Sequence, residues 1–401
     1  MKCCPHRLTV FIKNLISILL QERFASTKYT WFGAVAVAGA LCMPAPCAAA
    51  DGEDISGFDK VWRYATLYEN EDNRFIQKFA LSGRLQPDSA WFEADQGEFK
   101  DEFLWRRFRF GFKSDMFREW VLHIEGDFDL NESLGDSYSR LTDGYIGWSP
   151  RKNLDLKVLK QSAGFTLDGA TSSKKLLTMQ RNDLTNNLWF TSEYFTGITA
   201  KGKIDESWSY KVGLFSSDGN DELSRFEASY FTLFSIGYHF AETPKLNNGL
   251  IRVDYVYNDE DINAATRDFS QVVSLVTQWG TGPWGLWTDL SAGKGYAEQS
   301  DVWGVVVMPF YDFNPHIQMV LRYTYLNSPD DNGLRLPRYE GNITEGRGNE
   351  YNEIYTGLNV YFYRHKLKWQ TGLEYASMKD DPDDSGEYKG WGLNTGLRLY
   401  W

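Results

Sequence analysis

Past residue 50 this sequence has no cysteine: Cys3, Cys4, Cys42 and Cys47 all precede it. Thiolate catalysis, disulfides and thiolate metal sites are therefore excluded from the rest of the chain. Histidine is scarce, five in 401 residues, and no His/Glu cluster has transition-metal spacing. A basic excess is also missing. The formal charge is −12, which argues against nucleic acid as a partner, because phosphate binding needs a basic face. Long apolar runs are lacking too. Beyond the N-terminal region the longest is Val302–Phe310, far short of the ~20 residues a spanning helix needs. What the chain does have is aromatic residues, at 16%, and 35 glycines against 12 prolines.

The first fifty residues read as an export signal. Lys2, Arg7, Lys13, Arg23 and Lys28 precede the apolar Trp31–Met43, and Ala48-Ala49-Ala50 stands before acidic Asp51. The stretch before the apolar segment is long, which suggests an extended leader or an early start codon. Removing residues 1–50 takes away five bases and one acid, moving the formal charge from −12 to −16. The expected organisation is a signal over 1–50, a periplasmic N-terminal segment over 51–74 holding a short helix, and one large domain over 75–401.

From Phe75 onward one unit repeats: about ten residues alternating apolar with polar, then turn residues. Such alternation marks a strand with two unlike faces. Phe108, Phe110 and Phe112 oppose Arg107, Arg109 and Lys113. Trp120, Leu122, Ile124 and Phe128 oppose His123, Glu125, Asp127 and Asp129. Ile251, Val253, Tyr255 and Tyr257 alternate with Arg252 and Asp254, and Leu367, Trp369, Leu373 and Tyr375 with Lys368, Gln370 and Glu374.

Sixteen such segments can be counted, starting near Phe75, Phe103, Arg118, Ser139, Lys152, Phe195, Ser207, Phe226, Gly249, Phe269, Trp284, Val302, His316, Tyr351, Leu367 and Lys389. Their connections alternate between short turns, such as Asn314-Pro315 and Arg364–Lys366, and longer loops at Pro87–Glu102, Ala163–Tyr194, Asn327–Glu350 and Lys379–Tyr388. A soluble sandwich has no reason to sort its loops in this way, whereas an outer-membrane barrel does. In hydrocarbon every backbone N–H and C=O needs a partner, so a spanning sheet must close on itself. The expected fold is all-β: a closed antiparallel transmembrane β-barrel of about 16 strands, with water inside.

Along the chain stand, in order, Phe79-Ala-Leu-Ser-Gly-Arg-Leu-Gln86, Arg106-Arg-Phe-Arg-Phe-Gly-Phe-Lys113, Gly126-Asp-Phe128, Asp143-Gly-Tyr-Ile146, Gly164-Phe-Thr-Leu-Asp168, Thr171-Ser-Ser-Lys-Lys175 and Gln180-Arg181. In these stretches the chain resembles the phosphate-selective porins O and P of bacterial outer membranes. It implies a sixteen-stranded porin, commonly trimeric, set among outer-membrane lipid and lipopolysaccharide, whose third long loop, here Ala163–Tyr194, folds into the channel. It also implies a C-terminal strand read by the barrel-assembly machinery. Gly396-Leu-Arg-Leu-Tyr-Trp401 keeps the alternation but ends in Trp rather than Phe.

In that family anion capture is attributed to a ladder of basic side chains. The resemblance points to Lys174, Lys175 and Arg181 in the inserted loop, with Arg107, Arg109 and Lys113 on an early strand. Cations clustered in a constriction lower an anion's entry barrier. Against this stand the acidic balance of the chain and inward Glu125, Asp127 and Asp129 on the neighbouring strand. The functional expectation is passive diffusion of small hydrophilic solutes or ions, with phosphate among the candidates. A general or sugar-permeable pore and a non-conducting adhesion barrel are the alternatives. No catalytic residues, cofactor or metal are expected. A barrel esterase would need a Ser–His pair facing lipid, and His123 falls on the lumen side.

Overall fold

The computed structural model describes residues 56–401 apart from 96, 134, 191–192, 241–245, 331–332 and 381–385, so the expected export signal lies outside the described residues. A short helix, α1 (Gly57–Arg63), and a short strand, β1 (Thr66–Glu69), precede a long series of strands. These are β2 (Ile76–Ala94), β3 (Phe99–Met116), β4 (Trp120–Phe128), β5 (Tyr138–Arg151), β6 (Leu154–Ser162), β7 (Tyr194–Lys203), β8 (Trp208–Ser216) and β9 (Tyr230–His239). The series continues with β10 (Asn248–Asn258), β11 (Phe269–Thr281), β12 (Trp284–Gly295), β13 (Val302–Asn314) and β14 (Ile317–Asn327). After the two-residue pair β15 (Leu334–Arg335) and β16 (Arg347–Gly348) come β17 (Glu350–Tyr363), β18 (Leu367–Lys379) and β19 (Tyr388–Tyr400).

Each long strand pairs antiparallel with its predecessor, and β19 returns to β2 in a register running from Gly390↔Ala94 to Tyr400↔Arg84. Sixteen strands therefore close into a barrel, and the sixteen segments read from alternation are these strands. Parity holds around the wall: Phe110 is 44% exposed on the outside while Arg109 beside it is 1% exposed. Aromatic pairs ring the outer surface at both ends. Trp120 with Trp148, Trp208 with Tyr238 and Trp284 with Tyr311 sit near the short turns. Trp303 with Tyr325 and Tyr375 with Trp391 sit near the loops. Rings that are half apolar and half polar belong at the two headgroup layers.

One sequence expectation is corrected. Pro87–Glu102 is not a loop, because β2 and β3 stay paired from Ile76↔Met116 to Glu93↔Phe99. A proline and a run of acids argue for a loop. Here Pro87 lies where the register shifts, so its missing N–H breaks no ladder bond.

The N-terminal piece closes the barrel seam. At the turn end, where β19 stops, β1 takes over the edge of β2 by pairing with Lys78–Ala80. The hydroxyl of Ser56 accepts from Asp59 N (3.1 Å) to start α1. Trp62 Nε1 donates to Tyr400 O (2.7 Å), and Phe58 and Trp62 pack on Tyr363. Trp62→Ala should lower the temperature of barrel unfolding, read from heat-modifiable gel migration, by about 2–4 °C per kcal/mol lost. Single-channel conductance should not change.

Candidate functional site

The loop between β6 and β7, residues 163–193, lies along the inner wall. Thr166 N donates to Asp254 (3.0 Å) on β10 and Leu167 N to Asp289 (2.7 Å) on β12. Arg252 donates to Thr166 O (2.7 Å), and Lys211 binds the carbonyls of Ala163 and Gly164. Farther along, Lys368 (2.5 Å) and Gln370 (3.2 Å) on β18 donate to Leu176 O, and Asn359 (2.8 Å) on β17 donates to Leu177 O. Arg322 on β14 binds Thr178 Oγ1 and Gln180 O, both at 3.0 Å, and Arg84 on β2 binds Ser173 Oγ (2.7 Å). The inward polar side chains thus satisfy a backbone that has no sheet partner of its own.

Within the loop, helix α2 (Asp183–Leu188) is capped by Asn182, whose Oδ1 accepts from Thr185 N (2.8 Å). Asp168 in turn holds Asn182 through N and Nδ2, both at 2.8 Å. Phe165, Leu167, Leu184, Leu188 and Phe190 bury against wall residues such as Phe231, Val272 and Val306. The wall makes room with glycine: a Cβ on Gly304 would stand 2.9 Å from Leu184, and one on Gly293 2.8 Å from Leu188.

A second loop also turns inward, which the sequence did not disclose. In residues 328–349, Tyr339 stacks on Phe92 with ring centroids 5.0 Å apart, and Asn187 of α2 brackets Arg335 through its N and O (2.8 and 3.0 Å). Between the two loops and the β3–β5 wall lies a cavity of about 300 Å³. Eight arginines line it, including Arg106, Arg107, Arg109, Arg140, Arg181 and Arg338, against five carboxylates.

The basic candidates from the sequence divide. Arg107, Arg109 and Arg181 meet in this cavity. Arg109 faces Asp127 (3.4 Å) and binds the Tyr194 hydroxyl. Arg181 donates to Asp168 O (3.0 Å), lies 3.6 Å from Glu193 and covers the Trp189 ring. Lys174 lies outside the cavity lining, 4.0 Å from Glu125, and Lys175 is exposed. Lys113 is exposed near the turn end of β3, outside the cavity lining.

The acidic candidates carry a correction. Glu125 is fully buried and held by Arg84 at 2.9 Å, and Asp127 is shared by Arg109 (3.4 Å) and Arg140 (3.9 Å). Asp129 lies past the end of β4, where it accepts from Asn131 N (2.9 Å). It shapes that turn, because alternation stops where the strand stops. Sequence reasoning missed Arg84, Arg106, Arg140, Arg322 and Arg338. Parity with Ser82 and Gln86 was enough to place Arg84 inward.

In the inserted loop, burial opposes ionisation of Glu193, but Arg181, Arg109 and Arg107 overcome it and hold its carboxyl down at about 2. Burial, with repulsion from Arg84, pushes Lys174 down to about 8 against the pull of Glu125. Ser82 Oγ lies 3.0 Å from His123 Nε2, yet Glu125 approaches that same nitrogen at 3.9 Å. A nucleophilic triad needs its carboxylate on the other ring nitrogen, so the pair reads as wall lining.

A closed sixteen-stranded barrel with two girdles, a polar interior and a loop laid along its inner wall defines an outer-membrane diffusion channel. The chain belongs to the phosphate-selective porin O and P family, whose profile matches residues 79–401. The protein is an outer-membrane porin. Among curated proteins none matches it. Solved structures with the same fold include OmpF of Salmonella typhi in complex with daunomycin (TM-score 0.58, 12% identity, covering 84% of this chain and 100% of that one). A loop-deletion mutant of OmpT of Vibrio cholerae follows at 0.55 and 13%, over 80% and 99%. The outer membrane channel DcaP of Acinetobacter baumannii is similar at 0.53 and 14%, over 81% and 97%.

Proposed function

We propose that this porin prefers anions, carrying small oxyanions and halides through its arginine-lined cavity. One observation supports the reading. The β4 acids that weighed against anions in the sequence are matched by Arg84, Arg109 and Arg140, whereas Arg106, Arg107 and Arg338 have no carboxylate within ion-pair distance among the described residues. A local cationic excess governs entry more than total charge does. Inorganic phosphate belongs to this solute class, and the family's name makes it the first solute to try.

A sugar-permeable pore draws less support, because sugars stack on open aromatic faces. Trp189 is 7% exposed beneath Arg181, and Tyr339 is 3% exposed against Phe92. The assembly is proposed to be a homotrimer, as a trimer form of OmpT of Vibrio cholerae is described. Residues 1–50 are proposed as the export signal, and β19 with Trp401 as the segment that the assembly machinery reads.

The test is ion substitution in planar bilayers. Replacing chloride by gluconate should collapse the ohmic steps, while replacing potassium by tetraethylammonium should leave most of the current. The opposite pattern refutes anion preference. Absence of any steps favours the adhesion barrel.

A further inference from the structure

The outer face of the wall carries a groove of about 540 Å³ at the loop end of β10–β14. Cross-strand neighbours run over it as Tyr255↔Val273, Val273↔Ala292 and Ala292↔Trp303. Period two points all four outward. Val273 is 46% and Trp303 43% exposed, and Ala292 between them is the small member of the row. Lower on β12 the outward positions are filled by Leu286 and Leu290. Ala292 therefore makes the floor of a trough whose walls are apolar and aromatic.

The top of the trough is different. The next outward step of β12 beyond Ala292 is Lys294, paired across the strands with Gln271. Lys294 is exposed, lines the groove and makes no ion pair among the described residues. Gln271 Oε1 accepts from the Tyr255 hydroxyl (3.1 Å), which leaves the Gln271 amide nitrogen to donate. Asp301, also on the rim, accepts from Gly295 N (2.9 Å) and so fixes the β12–β13 connection. Depth gives these donors a meaning. Trp303 and Tyr325 belong to the loop-end girdle, so the floor lies at the edge of the hydrocarbon and Lys294 one step beyond it, among headgroups. A lysine there lays its stem on apolar surface and offers its ammonium to lipid phosphate.

We propose that this groove binds lipopolysaccharide, with one acyl chain of its lipid A lying over Ala292 and one of its phosphates held by Lys294 and Gln271. The long loops of an outer-membrane barrel mark its outward end, which places the groove in the leaflet where that glycolipid resides. A single acyl chain fits a trough one residue wide, whereas the bulky outward row of a second barrel does not.

The test uses the full-length protein purified from outer membranes and native mass spectrometry with added diphosphorylated lipid A, its dephosphorylated form, or phosphatidylglycerol. Wild type should retain lipid A more firmly than either of the others. Lys294→Gln should weaken lipid A retention by about fivefold and leave that of the dephosphorylated lipid unchanged. Ala292→Trp, which fills the trough, should remove one lipid A per chain. Should that variant fail to fold, Lys294→Gln, at an exposed position, decides alone. Lys389→Gln, an exposed lysine near the loops already 3.5 Å from Asp95, should change nothing. Equal retention of phosphatidylglycerol, or a Lys294→Gln variant that holds lipid A as wild type does, overturns the assignment. Dissociation of an oligomer by Ala292→Trp overturns it too, by showing that a second copy occupies this face. The groove lies outside the lumen, so the reversal potential of these variants should stay that of wild type and anion preference stands or falls separately.

Discussion

Asp254→Ala/Asp289→Ala is expected to raise single-channel conductance, roughly doubling it if the inserted loop leaves the wall. Asp254 and Asp289 accept the amides of Thr166 and Leu167, in the first turn of the loop after its origin at Ala163. A hydrogen bond to a charged acceptor contributes about 1.5–3 kcal/mol. Both carboxylates are themselves fixed, Asp254 by Ser235 and Arg252, and Asp289 by Ser274 (2.9 Å) and Ser291. Their removal also strands Arg252 without a counter-charge, which worsens the seat. The apolar face of α2 still holds the far end, so the expected state is a loop hinged near Phe190 rather than a fully freed one. Asparagine at both positions retains acceptors and should give an intermediate conductance. Conductance equal to wild type in the alanine pair would show that these bonds do not set the bore.

Raising the pH is expected to open the pore further, through Glu340. This residue lies at the inward tip of residues 328–349 and is 1% exposed. It faces Glu374 of β18, Glu353 of β17 and Asp183 of α2, with the phenols of Tyr351 and Tyr388 nearby. The available cation, Arg322, is already engaged by Glu353 at 2.7 and 3.0 Å. Burial, reinforced by repulsion from Asp183 and Glu353, pushes the Glu340 carboxyl up to about 7, and its Oε1 has no hydrogen-bond partner among the described residues. Buried carboxyl groups gathered in one place disfavour each other's ionisation, so one of them keeps a proton.

The docked loop therefore binds a proton that the undocked loop releases near the ordinary carboxylate value of 4.5. Docking is fully favoured below that value and is lost as pH rises through about 7. Conductance should accordingly increase from pH 5 to pH 8, and Glu340→Gln, which keeps a neutral donor, should stay at the low level throughout. A current that falls with rising pH, or a glutamine variant with the wild-type profile, would contradict this arrangement.

The barrel was legible because period-two alternation follows directly from lipid on one side of a sheet and water on the other, and every strand repeats that condition. Arg107, Arg109, Glu125 and Asp127 were assignable by the same parity. Legibility failed where parity fails. Arg106 sits at a bulge, which shifts parity by one residue, and Asp129 lies beyond the strand end. Arg338 and Glu340 belong to a loop whose inward course depends on contacts far away in sequence, such as Tyr339 on Phe92. Pairing between charges is similarly distant. That Arg84 neutralises Glu125 emerges only when β2 and β4 flank β3, and it reverses the weight of the acids against anions.

The central claim is that the narrow part of this lumen carries net positive charge although the chain as a whole is acidic. Reversal potential across a KCl gradient, measured on the purified wild-type porin at neutral pH, tests it most directly. A potential of the sign set by chloride permeation is predicted, and one of the sign set by potassium would contradict it.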